Sequence, residues 1–285
     1  MKPLRYQHID ELPGLTLSEA KMPQVQFEAH FHLEFHIGLI EQGQLTQSIQ
    51  GKKLPLTPRT VCIIPPGEVH DGVFNAKNLK VDGKENQYNL ATFRVPNQLI
   101  QTAFEESELS NKGEQVEGFI RPALIERNNI AENFMQLKRA LIPNNNASQL
   151  HKDVLWSNSI SELLSQLHQA PSLNYDYQGL SNNEFNIIQE YCYANLHRKI
   201  GIDELSTLIQ LTRFQFIRRF QKRVGIAPHT WLTNLRLESA SHKLLSTKTT
   251  ITDISADVGF YDQSHFNRVF KRAYRVSPSQ YRKGT

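Results

Sequence analysis

Three histidines and a glutamate alternate with apolar residues along one short segment, a spacing that places the polar groups on a single face of a β-strand. These polar residues are His30, His32, Glu34 and His36. A fourth histidine, His70, follows the turn at Pro65-Pro66-Gly67. Imidazole and carboxylate groups inside a small barrel suit a small polar ligand, such as an amino acid or an organic acid, and we predict this pocket without a metal or cofactor. Two other roles stay open, because four histidines are also acceptable ligands for Fe, Ni or Zn, and histidines also serve structural roles.

Two helical segments near the C-terminus present a second kind of chemistry, a face of basic and polar side chains. The predicted binding residues of the first segment are Thr212, Arg213, Phe214, Ile217, Arg218 and Lys222. Those of the second segment are Gln263, Ser264, Asn267, Arg268 and Lys271. Arginine pairs with guanine, glutamine and asparagine pair with adenine, and apolar groups pack on the thymine methyl, whereas lysine favours phosphates. We therefore predict double-stranded DNA as the partner of both faces.

Each face lies on the second helix of a short helix-turn-helix unit, and we predict these units at residues 202–224 and 251–274. Thr212 and Asp262 are the predicted N-caps of the two second helices. The predicted core aromatics, from their spacing, are Phe216, Phe220, Phe266 and Phe270. An amphipathic helix over residues 231–245 would hold the units at a fixed separation. Two units in one chain would then reach successive major grooves, about 10 bp apart.

The first half of the chain has the pattern of short strands followed by helices. We predict strands at Phe35–Ile40, Leu45–Ile49 and Val61–Ile64, and helices at Ala131–Leu141 and Gln149–Gln169. Such strands favour an antiparallel sandwich or small barrel, and Pro171 to Asn183 has the composition of a linker. The predicted fold class is α+β and multidomain. An antiparallel β-barrel with a helical pair occupies residues 1–175, and an all-α domain of two helix-turn-helix units joined by a linker helix occupies residues 176–285.

Charge is divided unequally along the chain. Residues 180–285 carry 16 Lys and Arg against 8 Asp and Glu, whereas residues 1–179 carry 16 against 20. A basic C-terminal third points to a polyanionic partner. No apolar run is long enough to cross a bilayer, and the N-terminus lacks a signal-peptide pattern, so we expect a cytoplasmic protein without membrane contact. Cys62 and Cys192 lie far apart, and we expect two reduced, partly buried thiols.

The motifs within residues 202–282 resemble those of the DNA-binding domain of AraC/XylS-type regulators. They are Arg218-Arg219-Phe220, Gly225-Ile226-Ala227-Pro228, Leu235-Arg236-Leu237-Glu238-Ser239-Ala240, Gly259-Phe260-Tyr261-Asp262-Gln263-Ser264-His265-Phe266, Phe270-Lys271-Arg272 and Ser277-Pro278-Ser279-Gln280-Tyr281-Arg282. Gly225 is also expected to end the first recognition helix in a left-handed conformation. Gln210 departs from the family, which usually has glycine in this turn, so we expect slight strain there.

Residues 27–73 resemble the cupin barrel that serves as the sensory domain of AraC-type regulators. The resemblance rests on the His30-x-His32 pair, on Pro66-Gly67 with His70, and on Gly43. His36 occupies the place of the carboxylate in metal-binding cupins. The sensory cupins of regulators often keep such histidines without a metal, which favours the prediction of an effector pocket.

These resemblances imply a sequence-specific transcription regulator, an activator as is commoner in the family, that responds to an effector and is not an enzyme. They also imply a homodimer formed by the helical pair, unless those helices only cover the barrel, and a contact with RNA polymerase. Two alternatives stay open: a metal-cupin enzyme with a DNA-binding tail, and an architectural or RNA-binding protein that uses basic helices without reading sequence.

Overall fold

In the computed structural model, the described residues are 4–22, 26–49, 52–74, 80–81, 84–85, 88–107, 109, 116, 120–143, 145–169 and 179–284. The chain forms two compact units, one of residues 1–28 and 32–174 and the other of residues 29–31 and 175–285. Among the helices of the described ranges, none has both the length and the apolar character that crossing a membrane requires. The architecture is α+β, as predicted, with antiparallel sheets in the first unit and helices in the second.

The described strands are β1 (Leu4–His8), β2 (Thr16–Met22), β3 (Gln26–His30), β4 (Phe35–Gln42), β5 (Leu45–Ile49), β6 (Lys52–Leu56), β7 (Val61–Ile64), β8 (His70–Phe74), β9 (Lys80–Val81), β10 (Lys84–Glu85), β11 (Tyr88–Val95) and β12 (Ala123–Ile125). A six-stranded sheet has the order β1-β2-β11-β4-β7-β12, and a four-stranded sheet has the order β3-β8-β5-β6. The predicted strands at Leu45–Ile49 and Val61–Ile64 are confirmed in type and bounds, and the strand predicted from Phe35 continues to Gln42.

The two larger sheets face each other. Cys62 on β7 donates a hydrogen bond through its Sγ to Oε1 of Gln47 on β5, over 3.1 Å, and both side chains are buried. Alternate residues of β4 and β7 therefore point into a shared interior. The two cysteines are free and buried, as expected, and burial raises the pKa of each thiol to about 12.

The first unit also contains α1 (Asn97–Glu105), α2 (Asn128–Leu141) and α3 (Gln149–Gln169). The prediction of a helical pair is confirmed, with α2 beginning three residues before the expected start. Phe134 of α2 packs on Phe93 of β11, with ring centroids 5.5 Å apart, and Leu163 and Leu164 of α3 are fully buried in the same core. Each such side chain stabilises the fold by roughly 1.5–3 kcal/mol through burial.

The second unit contains α4 (Asn182–Ala194), α5 (Ile202–Leu208), α6 (Arg213–Val224), α7 (Pro228–Ser246), α8 (Ile251–Asp257), α9 (Gln263–Tyr274) and α10 (Pro278–Lys283). The predicted linker extends too far at its C-terminal end, because a capping box at Ser181 starts α4 at Asn182. Residues 171–178 of that linker lie outside the described residues. The predicted amphipathic helix is confirmed as α7, which buries Trp231, Leu235 and Leu244.

Candidate functional site

Side-chain caps set the start of both recognition helices, α6 and α9. The Thr212 hydroxyl accepts a hydrogen bond from the backbone N–H of Gln215 at 3.3 Å, and the Gln215 side chain completes a capping box. Asp262 accepts from the backbone N–H of His265 at 2.7 Å. Both N-caps are confirmed, and each is worth roughly 1 kcal/mol. The predicted end of α6 is also confirmed, because Gly225 is left-handed with φ of 85°.

Buried aromatic rings hold each recognition helix against the rest of the second unit. Phe216 and Phe220 of α6 have ring centroids 5.5 Å apart, and Phe220 lies 5.5 Å from Trp231 of α7. In α9, Phe266 and Phe270 repeat this 5.5 Å pairing. All four phenylalanines are fully buried, as predicted from their spacing. The opposite face of each helix is therefore the one that meets solvent.

Matched turns join the two helices of each unit. Gln210, in the first turn, has φ of 55°, and Gly259, in the second, has φ of 79°. Leu211 donates its backbone N–H to the carbonyl of Ser206, as Phe260 does to that of Ser255. The expected departure from glycine thus places a glutamine in a left-handed conformation, which costs roughly 1–2 kcal/mol for a residue with a Cβ.

The predicted DNA-contacting residues differ in accessibility. The exposed ones are Thr212, Arg213, Phe214, Arg218, Lys222, Ser264, Arg268 and Lys271, and the half-buried ones are Ile217, Gln263 and Asn267. Phe214 is 74% exposed, so a large apolar ring meets solvent at the start of α6. The two helices thus present faces of the expected composition.

Several of these side chains already have partners within the second unit. Arg213 donates to Oδ2 of Asp203 at 2.9 Å, and Gln263 accepts from the Thr252 hydroxyl at 2.6 Å. The Oδ1 atom of Asn267 is shielded from solvent and accepts no hydrogen bond from the described residues. In this conformation the side-chain oxygen of Asn267 is not accessible, so the expected two-bond contact with adenine requires the amide to rotate.

The N-terminal end of the second unit is fastened to the back of α6. Arg219 donates from Nε and Nη2 to the carbonyl of Gly179, at 3.3 and 3.1 Å, and pairs with Glu184 at 2.8 Å. Burial raises the pKa of Glu184, but hydrogen bonds from Ser181 and the charge of Arg219 outweigh it and hold the pKa below its usual range. Arg219 therefore links α6 to Gly179 and to Glu184 of α4, whereas its neighbour Arg218 faces solvent.

A second polar cluster supports the start of α5. Glu204 accepts hydrogen bonds from the Arg198 guanidinium and the Tyr191 hydroxyl, and from the backbone N–H of Gly201 at 3.3 Å. The hydrogen bonds from Arg198 and then Tyr191 lower the pKa of Glu204 to about 2. The first helix of the first helix-turn-helix unit is thus anchored by a carboxylate in its opening turn.

The predicted histidine strand is interrupted. The strand β3 ends at His30, residues 31–34 leave the sheet, and β4 starts at Phe35, so the expectation of one continuous strand is wrong. The backbone turns there because the His32 carbonyl accepts from the N–H of Gly67 at 2.8 Å, which ties it to the turn before β8.

The structure nevertheless brings three of the four predicted histidines together in the first unit. Ring centroids of His32, His36 and His70 lie 5.0–5.3 Å apart. His30, the fourth predicted histidine and the last residue of β3, falls in the second unit. The cluster offers several imidazole nitrogens, which suit either a single small polar ligand or a metal ion.

Glu34, also predicted to line the pocket, forms a buried ion pair. It is buried, and its Oε2 accepts from Nη2 of Arg94 on β11 at 2.7 Å, with Arg94 itself only 3% exposed. The pocket role of Glu34 stays a prediction, and the ion pair with Arg94 engages one oxygen of its carboxylate. Alternation alone could not reveal Arg94, which is 60 residues away in the sequence.

Sequence reasoning also missed two other features. A cleft of about 520 Å³ in the first unit is lined by Ile40, Arg59 and Met135 among others, and no motif pointed to it. Tyr261, which sequence reasoning named only as part of a family motif, is 96% exposed immediately before the cap of α9. The feature of the sequence that could have identified Tyr261 is its position directly before Asp262, the N-cap of α9.

Two capped, aromatic-braced recognition helices on paired helix-turn-helix units define a DNA-binding transcription regulator. Family models agree: that of a helix-turn-helix domain matches residues 205–284, and that of the AraC-like ligand binding domain matches residues 12–160. The chain therefore belongs to the AraC family of transcription regulators.

Individual relatives show where the similarity lies. The HTH-type transcriptional regulator MtrA of Neisseria gonorrhoeae is 38% identical over 83 residues, which are 29% of this chain and 28% of MtrA. The HTH-type transcriptional activator RhaS of Shigella flexneri is 22% identical over 282 residues, 97% of this chain and 96% of RhaS. The similarity to MtrA thus spans less than a third of that protein, whereas that to RhaS is weaker but nearly complete.

Solved structures share the fold. ToxT from Vibrio cholerae O395 aligns with 94% of this chain and 97% of its own, at a TM-score of 0.55 and 12% identity. Wild-type ToxT from Vibrio cholerae strain SCE256, with an unsaturated fatty acid bound, aligns at a TM-score of 0.56 and 12% identity over 94% of both chains.

Proposed function

We propose that this chain is an effector-responsive transcription activator that reads operator DNA through α6 and α9. The observation that carries the proposal is the pair Arg218 and Arg268, each the sixth residue after its N-cap. Both are exposed and have no hydrogen-bond partner among the described residues. Matched guanidinium groups on two recognition helices supply the bidentate donors that guanine accepts in the major groove.

Substitutions on α9 separate base contact from phosphate contact. The probe is a duplex that the wild-type chain selects from a randomised library, compared with a scrambled duplex. Arg268→Ala should cost about 1–3 kcal/mol on the selected duplex and relax preference at one base pair. Arg268→Lys keeps the charge but loses the planar fork, so it should lose the same preference and keep the salt dependence.

Lys271→Ala should weaken both duplexes equally and lower the salt slope by about one unit. Lys53→Ala removes an exposed lysine from β6 and serves as the matched control that leaves DNA binding unchanged. Equal losses on both duplexes for Arg268→Ala would refute its role in base reading. If the wild-type chain itself bound both duplexes equally at physiological salt, an architectural role would replace the proposal.

We further propose that the effector binds at the histidine cluster of the first unit and is a small carboxylate or amino acid. The clustered imidazoles support a polar ligand, and the fatty acid bound by ToxT places carboxylates first in the panel. Thermal-shift measurements of the full chain with amino acids and organic acids test this. His70→Ala should abolish the stabilising shift, whereas His151→Ala, on the exposed side of α3, should keep it.

Two outcomes would redirect the effector proposal. Loss of the shift in Arg59→Ala instead of His70→Ala would move the ligand to the 520 Å³ cleft. Elemental analysis that finds one transition metal per chain, lost in His70→Ala, would favour the metal-cupin alternative.

We also propose that the chain acts in the cytoplasm as a homodimer through α3 and contacts RNA polymerase as an activator. Leu150 and Val154 support the dimer, because they lie four residues apart on one face of α3 and are 73% and 47% exposed. Leu150→Glu should convert the dimer to a monomer in sedimentation analysis, while Gln149→Glu, its polar neighbour, should not. A wild-type monomer at micromolar concentration would refute the dimer, and repression of a reporter would refute activation.

A further inference from the structure

The two helix-turn-helix units are not of equal length in their turns. From α5 to Leu211 the first helix-turn-helix unit corresponds to the second helix-turn-helix unit with an offset of 49 residues. Gln210 matches Gly259, and Leu211 matches Phe260, in conformation and hydrogen bonding. From the N-caps onward the offset is 50, because Thr212 matches Asp262. The second turn therefore contains one additional residue, Tyr261.

The surroundings of Tyr261 fix its backbone and leave its side chain outside. Phe260, just before it, packs on Phe266 with ring centroids 5.2 Å apart, and Asp262, just after it, caps α9. The Tyr261 ring itself is 96% exposed. It is more exposed than Phe214, the other solvent-facing aromatic at the start of a recognition helix.

We propose that Tyr261 is an additional DNA-binding residue, whose hydroxyl donates a hydrogen bond to a phosphate oxygen at the edge of the groove that α9 enters. This inference rests on the proposed DNA-binding function. In a helix-turn-helix unit the first helix crosses the phosphate backbone and the second enters the groove, so the turn between them lies at the groove edge. Tyrosine is among the side chains that bind phosphate oxygens in this way.

Charges around the turn are compatible with this contact. The carboxylate of Asp262 is directed to the backbone N–H of His265, so the acidic neighbour is engaged by the helix. Arg268 and Lys271, on the same helix, are exposed and attract the phosphate backbone. A phosphate contact present in only one unit would make α9 the more firmly positioned of the two recognition helices.

Two substitutions of Tyr261 test the inference on the selected and scrambled duplexes used for Arg268. Tyr261→Phe removes only the hydroxyl, and it should weaken both duplexes about tenfold, the effect of a hydrogen bond to a charged oxygen. The salt slope should stay unchanged, because tyrosine releases no counterion. Tyr193→Phe, a half-exposed tyrosine on α4, is the matched control and should bind both duplexes normally.

Three results would overturn the inference while leaving DNA binding by the wild-type chain intact. Unchanged binding by Tyr261→Phe would exclude the hydroxyl contact. A loss in Tyr261→Ala but not in Tyr261→Phe would assign the ring to packing instead. A loss in Tyr261→Phe confined to the selected duplex would indicate base reading. Failure of the wild-type chain to bind the selected duplex would refute the proposed function itself.

Discussion

Replacing Gly259 by alanine should destabilise the second helix-turn-helix unit more than the same change at any open left-handed glycine. Gly259 has φ of 79°, and a Cβ built there would lie 2.0 Å from the carbonyl oxygen of Leu196 and 2.8 Å from Nη2 of Arg236. The left-handed conformation costs alanine about 1–2 kcal/mol. The steric overlap adds about 1–3 kcal/mol, because the nearest atom belongs to the backbone and cannot rotate away.

Gly225 provides the matched control. It has φ of 85°, and nothing lies within 4 Å of a Cβ built there, so Gly225→Ala carries the conformational cost alone. Thermal unfolding of the full chain, followed by the fluorescence of Trp231 in a Trp156→Phe background, measures both variants. The expected difference in stability between the two variants is about 1–3 kcal/mol. Each kcal/mol lowers the unfolding temperature by roughly 4–8 °C for a domain of about this size.

The same variants link stability to DNA binding. Footprinting of Gly259→Ala should show protection retained over the groove read by α6 and lost over the groove read by α9, since only the second turn is distorted. Equal unfolding temperatures for Gly259→Ala and Gly225→Ala would refute the reasoning, because they would mean that the Leu196 carbonyl exerts no steric constraint.

Three other perturbations should act through features of single residues. Gln210→Gly should stabilise the protein by about 0.5–1 kcal/mol in denaturant titration, because it relieves a left-handed glutamine; Gln210→Ala, which keeps the Cβ, should not. Glu34→Gln should cost about 3–5 kcal/mol, since it removes a negative charge paired with the buried Arg94, and an unchanged unfolding midpoint would contradict the buried pair. The lowered pKa of Glu204 stabilises the folded state fully above pH 4.5, the ordinary glutamate value, and this contribution is lost as pH falls toward 2. Glu204→Gln should therefore reduce the slope of stability against pH in that window, and an identical slope in the variant would contradict it.

Local sequence signals predicted the C-terminal unit well. Phe216 and Phe220, or Phe266 and Phe270, lie four residues apart, so helical spacing alone places each pair on one buried face. Thr212 and Asp262 act on backbone N–H groups three residues away. Contacts between residues that are close in the sequence can therefore be predicted from the sequence.

The N-terminal unit was harder to predict because its decisive contacts join distant residues. Alternation from His30 to His36 predicted a single strand, but the backbone leaves the sheet after His30, where Gly67 binds the His32 carbonyl. Likewise, Glu34 has the spacing of a pocket residue, yet its partner Arg94 comes from β11. Long-range pairing overrides a local period of two whenever a loop interrupts the strand.

The hydrogen bonds of Arg219 attach the start of the second unit, at Gly179, to α6 and not to α9. A displacement of the backbone at Gly179 would act through that carbonyl on α6 before it acted on α9. If the two helices bind neighbouring grooves as proposed, α6 would dissociate from its groove while α9 stays bound to the other. An effector that acts through this attachment would therefore change DNA binding by α6 before it changes DNA binding by α9.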